Sequence, residues 1–189
     1  MWKFETTKGG PYFETVRFGD LSWKVLDKSS DGGKVLLLSE DIVEERPYHD
    51  DEDVGPDLTW EASDIRAYLN SSFIVRHFSE EEKSRICDTE LENNDNPVFG
   101  TNGGNDTIDK VFLLSIEEAW EYEYTGDLFV DGELWWLRSP GDSGDAPAFV
   151  SDEYEEDEDG EETCVCARSN DGASALYGIR PALWMKVGR

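Results

Sequence analysis

The stretch WWLRSPG, residues 135–141, sets two tryptophans and a leucine beside a single arginine and ends in Pro-Gly. A second stretch of similar character, GIRPALWMK, occupies residues 178–186. Short runs of aromatic and aliphatic residues bounded by Gly and Pro are typical of β-strands. The two stretches therefore predict strands over 135–138 and 179–187, each carrying an arginine in apolar surroundings.

The arginines of these two strands, Arg138 and Arg180, have tryptophans as neighbours: Trp135, Trp136 and Trp184. A buried guanidinium requires a carboxylate or several carbonyl oxygens as acceptors, so arginines of this kind usually tie neighbouring loops together. Anion binding is the alternative, and the apolar surroundings argue against it. These five residues are predicted to be structural.

Further strands follow from apolar runs that are separated by turn residues. They are predicted over 16–18, 22–26, 34–39, 148–151 and 163–167. Two segments, 41–58 and 92–107, are so rich in Gly, Pro, Asn and Asp that they are predicted to be irregular.

Short helices are predicted between the two groups of strands. Ser63 can cap a helix in which Ile65 and Leu69 recur at helical spacing, and Ser79 with Glu82 forms a capping box for a second. A third is predicted over 115–124. Antiparallel strands from both ends of the chain, with two to three short helices between them, predict one α+β domain over residues 1–189.

The chain is strongly acidic, with 17 Lys and Arg against 44 Asp and Glu and a formal charge of −27. It also holds 7 Trp, 7 Tyr and 9 Phe, which supply core material that disordered acidic proteins lack. Such a surface repels nucleic acid and anionic membranes, so neither is expected as a direct partner, whereas a basic protein is. A high-salt cytoplasm, simple solubility and imitation of a phosphate backbone are competing explanations.

The sequence indicates a reducing compartment and offers no site for a cofactor. No apolar run is long enough to span a membrane, and the opening MWKFETTKGGPYFETV lacks the apolar core of a signal peptide, so a cytoplasmic location is expected. Cys164 and Cys166 share one face of a strand, but His49 and His77 are far away in the sequence and cannot complete a metal site with them. Two buried thiols, no metal and no catalytic constellation are predicted.

An Asn- and Asp-rich loop raises the question of calcium, because carboxylate and amide oxygens are the ligands of hard cations. The side chains concerned are Asp95, Asn102, Asn105, Asp106 and Asp109. Their spacing does not match an EF-hand, and the same side chains also hydrogen-bond to their own backbone in turns. No metal site is predicted, although calcium binding stays open at this point.

The tract 152–163 has nine acidic residues in twelve and forms an acidic insert between two predicted strands. Folding must hold these like charges close together, and a basic partner would offset their repulsion. The candidate partner-binding residues in the tract are Asp152, Glu153, Tyr154, Glu155, Glu156, Asp157, Glu158, Asp159, Glu161 and Glu162. Neighbouring segments add Asp142, Asp145, Arg168, Asn170, Asp171 and Tyr177.

The two opening stretches occur together with LTWEASDIRAYLNSSF from Leu58, FSEEEKSRI from Phe78 and NDNPVFGTNGGNDTIDKVFLLS from Asn94. In this order they resemble a bacterial domain family of unknown function with paired WLRSPG and G-[IV]-RPAL motifs. Its other conserved places are taken here by Phe18-Gly19, Trp23 to Leu26, Arg66 and Leu69-Asn70. The resemblance implies a family but no activity.

The C-terminal part of the chain has an arginine-bearing strand, a loop-rich insert and a closing G-I-R strand, in that order. This order is also similar to that of C-type-lectin-like domains of the formylglycine-generating-enzyme type. That resemblance implies paired N- and C-terminal strands, flanking helices and a ligand face formed by the insert. The sequence therefore predicts a non-catalytic recognition domain that binds a protein or other ligand through this face. The alternative is an inhibitor that mimics nucleic acid and blocks a DNA- or RNA-binding enzyme, as in anti-defence proteins of phages.

Overall fold

The computed structural model describes residues 14–50, 55, 57–123, 133–156, 162–169 and 171–188, without the side chains of 152–156 and 162. Three sheets are formed within this part of the chain. The strands are β1 Thr15–Phe18, β2 Leu21–Lys28, β3 Lys34–Ser39, β4 Glu44–Arg46, β5 Thr89–Leu91, β6 Thr107–Asp109, β7 Trp135–Pro140, β8 Pro147–Glu156, β9 Glu162–Cys166, β10 Tyr177–Ile179 and β11 Ala182–Lys186.

The first sheet has the order β1-β2-β3-β11, and its strand pairs are antiparallel. Its third strand is buried from Val35 to Ser39, as expected for a strand with neighbours on both sides. Gly32 allows the tight turn before this strand, because it adopts a φ of +66° that only glycine takes without strain.

The second sheet has the order β4-β10-β7-β8-β9, and all its pairs are antiparallel except β10 with β7. Every residue of β7 is buried, which agrees with its central place in the order. A two-stranded ribbon of β5 and β6 forms the third sheet. The hydrophobic core draws residues from both large sheets, among them the fully buried Trp23 and Trp135.

The strand predicted over 179–187 is wrong in one respect, because it is two strands in two different sheets. β10 belongs to the second sheet and β11 to the first. Arg180 and Pro181 separate them, and proline has no N–H to donate to a ladder. The Pro181 carbonyl accepts from the Ser39 N–H at 2.9 Å, so the chain crosses between the sheets without losing this bond. The first and last strands do share a sheet, but β11 pairs with β3 and not with β1.

The three helical stretches that the sequence predicts are confirmed. Residues 64–77 are helical without interruption, as α1 Asp64–Tyr68, a π-turn Leu69–Phe73 and α2 Ile74–His77; α3 Glu80–Lys83 and α4 Ile116–Glu123 follow. The Ser63 hydroxyl accepts from the Arg66 N–H, and Ser79 with Glu82 forms a complete capping box. The α+β class is therefore confirmed. None of the helices in the described residues is long and apolar enough to cross a bilayer.

Candidate functional site

The arginine of the closing segment, Arg180, is fully buried between the two large sheets. Its Nε and Nη2 donate to the Ser39 carbonyl at 3.2 and 3.0 Å, and Nη2 also donates to the Glu40 carbonyl at 3.2 Å. The guanidinium carbon lies 5.0 Å from the ring centroid of Trp135, within the range of a cation–π contact. This side chain joins β3 to the point where the chain crosses between the sheets.

Arg138 is also buried and connects three segments of the chain. It forms an ion pair with Glu118 of α4, donates to the Leu113 carbonyl at 3.0 Å and donates to the Glu92 carbonyl at 3.3 Å. Both arginines thus occupy structural positions in the described fold. Trp135 and Trp136 are fully buried, whereas Trp184 is half-buried.

Asp109, one of the candidate calcium ligands, has its carboxylate engaged in the protein interior. The side chain is 1% exposed and accepts from Arg66 Nε at 2.9 and 3.0 Å, from Trp60 Nε1 at 2.9 Å and from Thr107 Oγ1 at 2.8 Å. Asn70, one turn after Arg66, accepts from Lys110 N–H at 2.8 Å. Arg66 of α1 and Asn70 of the following π-turn therefore hold β6 and the residue after it in place.

The other candidate calcium ligands are engaged in hydrogen bonds. Asn105 Nδ2 donates to Glu61 Oε2 at 2.8 Å. Asp95 Oδ1 accepts from the Gly103 N–H at 3.0 Å, and Asn102 Oδ1 accepts from the Gly104 N–H at 3.0 Å. Asp106 Oδ1 accepts from the Asn93 N–H at 3.1 Å. Across the described ranges, no group of three or more His, Cys, Asp or Glu side chains is arranged to hold a metal ion.

The acidic insert extends the hairpin of β8 and β9. Glu155 lies opposite Thr163 in the strand register, and Glu156 lies opposite Glu162. The backbones of Asp152, Glu153 and Tyr154 belong to β8 as well. We call residues 152–163 the acidic hairpin. Four of its predicted partner-binding residues, Asp157, Glu158, Asp159 and Glu161, lie outside the described residues.

A further carboxylate stands at the base of the acidic hairpin. Glu123, the last residue of α4, accepts from Thr163 Oγ1 at 2.8 and 3.0 Å and from the Cys164 N–H. Burial raises the pKa of the Cys164 thiol, and the adjacent Glu123 carboxylate raises it further. Cys164 is therefore a neutral thiol at physiological pH and not a nucleophile.

Asn96 connects three loops at the other end of the hairpin, and its side chain is buried. Its Nδ2 donates to the carbonyls of Pro140, Gly141 and Ala167 at 2.8, 3.1 and 2.8 Å. Its Oδ1 accepts from the Val98 and Phe99 N–H groups at 2.9 and 3.0 Å. One side chain thus fixes a turn of the Asn-rich loop against the ends of β7 and β9.

The residues next to these contacts form one exposed surface, which we call the Asn96 face. It consists of Asp95, Val98, Phe99, Asp142 and Arg168. The Arg168 guanidinium carbon lies 5.6 Å from the Phe99 ring centroid, and Asp142 Oδ1 accepts from the Ser169 N–H at 3.0 Å. Asp142 and Arg168 of this face were predicted from the sequence, whereas Val98 and Phe99 were not, although two apolar residues within a polar turn were a signal for them.

The remaining predicted residues differ in exposure. Tyr177 is buried, with its ring stacked on Trp136 at 4.1 Å between centroids, and its hydroxyl donates to Asp171 Oδ2 at 2.9 Å. Asp145 and Asp171 are exposed. The Asp145 carbonyl accepts from the Ala173 N–H, in the loop after β9. Asn170 lies outside the described residues.

The structure does not bring the predicted partner-binding residues into a single surface. The β7–β8 turn, with Asp142 and Asp145, precedes β8, whereas the acidic hairpin closes after it. Turns at opposite ends of a ten-residue strand are up to about 30 Å apart. The candidate site therefore has two separate parts, the acidic hairpin and the Asn96 face.

Residues 32–187 match the family model described as "Domain of unknown function (DUF6273)". Comparison with curated proteins and with solved structures finds no match. The matched range includes both the acidic hairpin and the Asn96 face, but the Phe18-Gly19 and Trp23 to Leu26 positions precede it. Because the family model covers most of the sequence, the chain belongs to this family of domains of unknown function.

Proposed function

We propose that this domain is a non-catalytic recognition module that binds a basic protein through the acidic hairpin. The observation that supports the proposal is the strand register, in which the ladder of β8 and β9 extends into the acidic tract and places Glu156 opposite Glu162. Five of the nine acidic residues of the tract thereby lie in β8 and β9 of the second sheet. A concentrated negative potential accelerates encounter with a positive surface.

The energetic cost of this arrangement supports a binding role. Like charges directly opposite each other in an antiparallel pair are destabilising, and Glu156 and Glu162 occupy such positions. Acidic residues are also depleted in strands in general. A solubility tract could occupy a terminus or a loop without this cost, whereas a basic partner would offset it.

A second candidate function, mimicry of nucleic acid, is favoured by the density of acidic residues. Four of the last five positions of β8 are acidic, and the tract 152–163 has nine acidic residues in twelve. Proteins that bind DNA or RNA recognise a dense run of negative charge in the phosphate backbone. The partner would then be the basic cleft of a DNA- or RNA-binding enzyme.

We further propose that the fold is C-type-lectin-like and that the domain acts in the cytoplasm. In support of the fold, the first and last strands share a sheet, and the insert lies between the WLRSP strand and the G-I-R segment. In support of a reducing compartment, Cys87, Cys164 and Cys166 are free thiols.

The test is capture of partners from host lysate with wild type and a hairpin variant, followed by binding measurements with each captured protein. The variant carries Glu155→Gln, Glu156→Gln, Asp157→Asn, Glu158→Gln and Asp159→Asn. We expect slower association and a weaker salt dependence for this variant, because salt screens the interaction between the hairpin and a positive cleft.

A matched control removes the same five negative charges elsewhere on the exposed surface. It carries Asp41→Asn, Glu45→Gln, Asp57→Asn, Glu81→Gln and Glu90→Gln. The proposal requires the hairpin variant to lose more association rate than the control. Equal behaviour of the two variants would show that net charge alone matters. Inhibition of a captured nuclease, lost in the hairpin variant only, would select the mimicry candidate.

A further inference from the structure

We propose that the Asn96 face is a second binding surface, which docks into an apolar pocket with a basic rim on a protein partner. This inference does not depend on the acidic hairpin, which closes at the opposite end of β8. It rests on the fixed geometry of the turn, the exposure of its apolar residues and the charges around them.

The turn that carries Val98 and Phe99 is held rigidly before any partner arrives. The Asn96 N–H donates to the Thr101 carbonyl at 2.8 Å, and the Gly100 N–H donates to the Asn96 carbonyl at 2.8 Å. The Asn96 side chain adds the bonds to three carbonyls of other loops. A surface that is already ordered loses little conformational entropy on binding.

The turn presents apolar side chains to solvent. Val98 is 40% exposed and Phe99 is 39% exposed, although the N–H groups of both donate to the side chain of the buried Asn96. Phe99 is the aromatic member of the exposed large hydrophobic side chains in the described part of the chain, and Val98 is its immediate neighbour. Aromatic and arginine side chains are enriched where binding energy concentrates, and here Arg168 lies over the Phe99 ring.

The charges around the turn select the chemistry of the partner. Asp95 and Asp142 border the face, and each has one carboxylate oxygen oriented by a backbone N–H. The other charged member of the face, Arg168, lies against Phe99. An apolar pocket with lysines or arginines at its rim complements this arrangement, whereas an acidic rim would oppose both aspartates and the net charge of −27.

The first test uses short synthetic peptides of equal length and measures binding by fluorescence anisotropy and by backbone amide shifts. One peptide alternates lysine with leucine, a second replaces leucine with serine, and a third replaces lysine with glutamate. We expect the lysine–leucine peptide to bind and to shift the amides of Val98 and Phe99. The peptide without leucine is expected to bind more weakly, and the peptide with glutamate to show no binding.

The variants compare Phe99→Ser with Ile108→Ser, since Ile108 is a 64% exposed apolar side chain outside the face. We expect Phe99→Ser to weaken the lysine–leucine peptide by about fivefold or more, as for a residue at the centre of an interface, and Ile108→Ser to have no effect. Both variants should melt at the wild-type temperature. The five-residue hairpin variant should retain the Phe99 dependence, which separates failure of this inference from failure of the proposed function.

Several results would overturn the inference. Equal effects of the two serine variants, no binding of the lysine–leucine peptide, or binding of the glutamate peptide through Arg168 would each do so. Sedimentation analysis adds one more such result. A dimer of the wild-type chain that Phe99→Ser converts to a monomer would assign the face to self-association.

Discussion

Nη2 of Arg138 donates to Oε1 of Glu118 over 3.2 Å, and Nη1 of the same guanidinium contacts the other oxygen of that carboxylate. The pair joins β7, the centre of the second sheet, to the first turn of α4. Glu118 Oε2 also accepts from the Ser115 N–H at 2.9 Å, which caps the helix. One ion pair therefore positions a helix, a strand and the loop between them.

Replacing Arg138 by alanine should lower the free energy of unfolding by about 3 kcal/mol, because it leaves the Glu118 carboxylate without its ion-pair partner and removes the donor to the Leu113 and Glu92 carbonyls. Urea unfolding measures the change. The matched control is Arg168→Ala, since Arg168 is exposed and its guanidinium lies over the Phe99 ring. Equal stability of Arg138→Ala and wild type would mean that the Arg138 side chain is not a structural link.

Replacing Asn96 by alanine should loosen the turn that carries Phe99. The substitution removes the donor to three carbonyls and the acceptor of two N–H groups, and we expect a loss of about 2 kcal/mol. Hydrogen exchange should accelerate at the Val98 and Phe99 amides more than at amides of β3. Unchanged protection at these two amides would contradict the role assigned to Asn96.

Millimolar calcium should change the melting temperature little. Asp95, Asn102 and Asp106 already accept backbone N–H groups, and Asp109 is paired with Arg66 in the interior. A ligand that binds only the native state raises its apparent stability. A rise of about 10 °C with calcium, absent with magnesium, would therefore reveal a tight site in this loop.

Local signals in the sequence were sufficient for much of the fold. The run KVLLLS predicted β3 with the correct bounds, and the spacing of Ser79 and Glu82 predicted the capping box. In contrast, β4 consists of Glu44, Glu45 and Arg46, which show no apolar alternation. It is a strand because it pairs with β10, about 130 residues later in the chain, and pattern analysis does not detect such long-range pairing.

The candidate site was less predictable than the fold, for the same physical reason. The acceptors of Asn96 lie 44 to 71 residues away in the sequence, so the Asn-rich loop alone does not reveal its attachment. The acidic composition of 152–156 indicated a turn, because acidic residues are depleted in strands. The apolar half of β8 pairs with β9 at Val150 and Val165, and after a shift in register the ladder resumes at Glu155 and Thr163.

Alkylation should distinguish the three cysteines. Burial raises the pKa of Cys164, which keeps its thiol protonated, and the Cys87 side chain is also buried, whereas Cys166 is partly exposed. Only the thiolate reacts. We expect iodoacetamide to modify Cys166 first and the other two only after unfolding, as measured by mass spectrometry of peptides. Modification of Cys164 in the native protein would contradict its protonated, buried state.

The facing glutamates of the acidic hairpin, Glu156 and Glu162, make a sharp test of the strand register. Like charges in opposite positions repel, so Glu156→Gln or Glu162→Gln alone should raise the free energy of unfolding by a few tenths of a kcal/mol at low salt. The double substitution should gain less than the sum of the two single ones, because either change removes the same repulsion. Salt should erase the difference through screening.

Urea unfolding of wild type, the two single variants and the double variant at low and high salt gives the coupling energy. Glu81→Gln in exposed α3 serves as a control for the loss of one charge. Additive gains, equal to that of Glu81→Gln, would show that the two residues do not face each other and would remove the energetic argument for a basic partner.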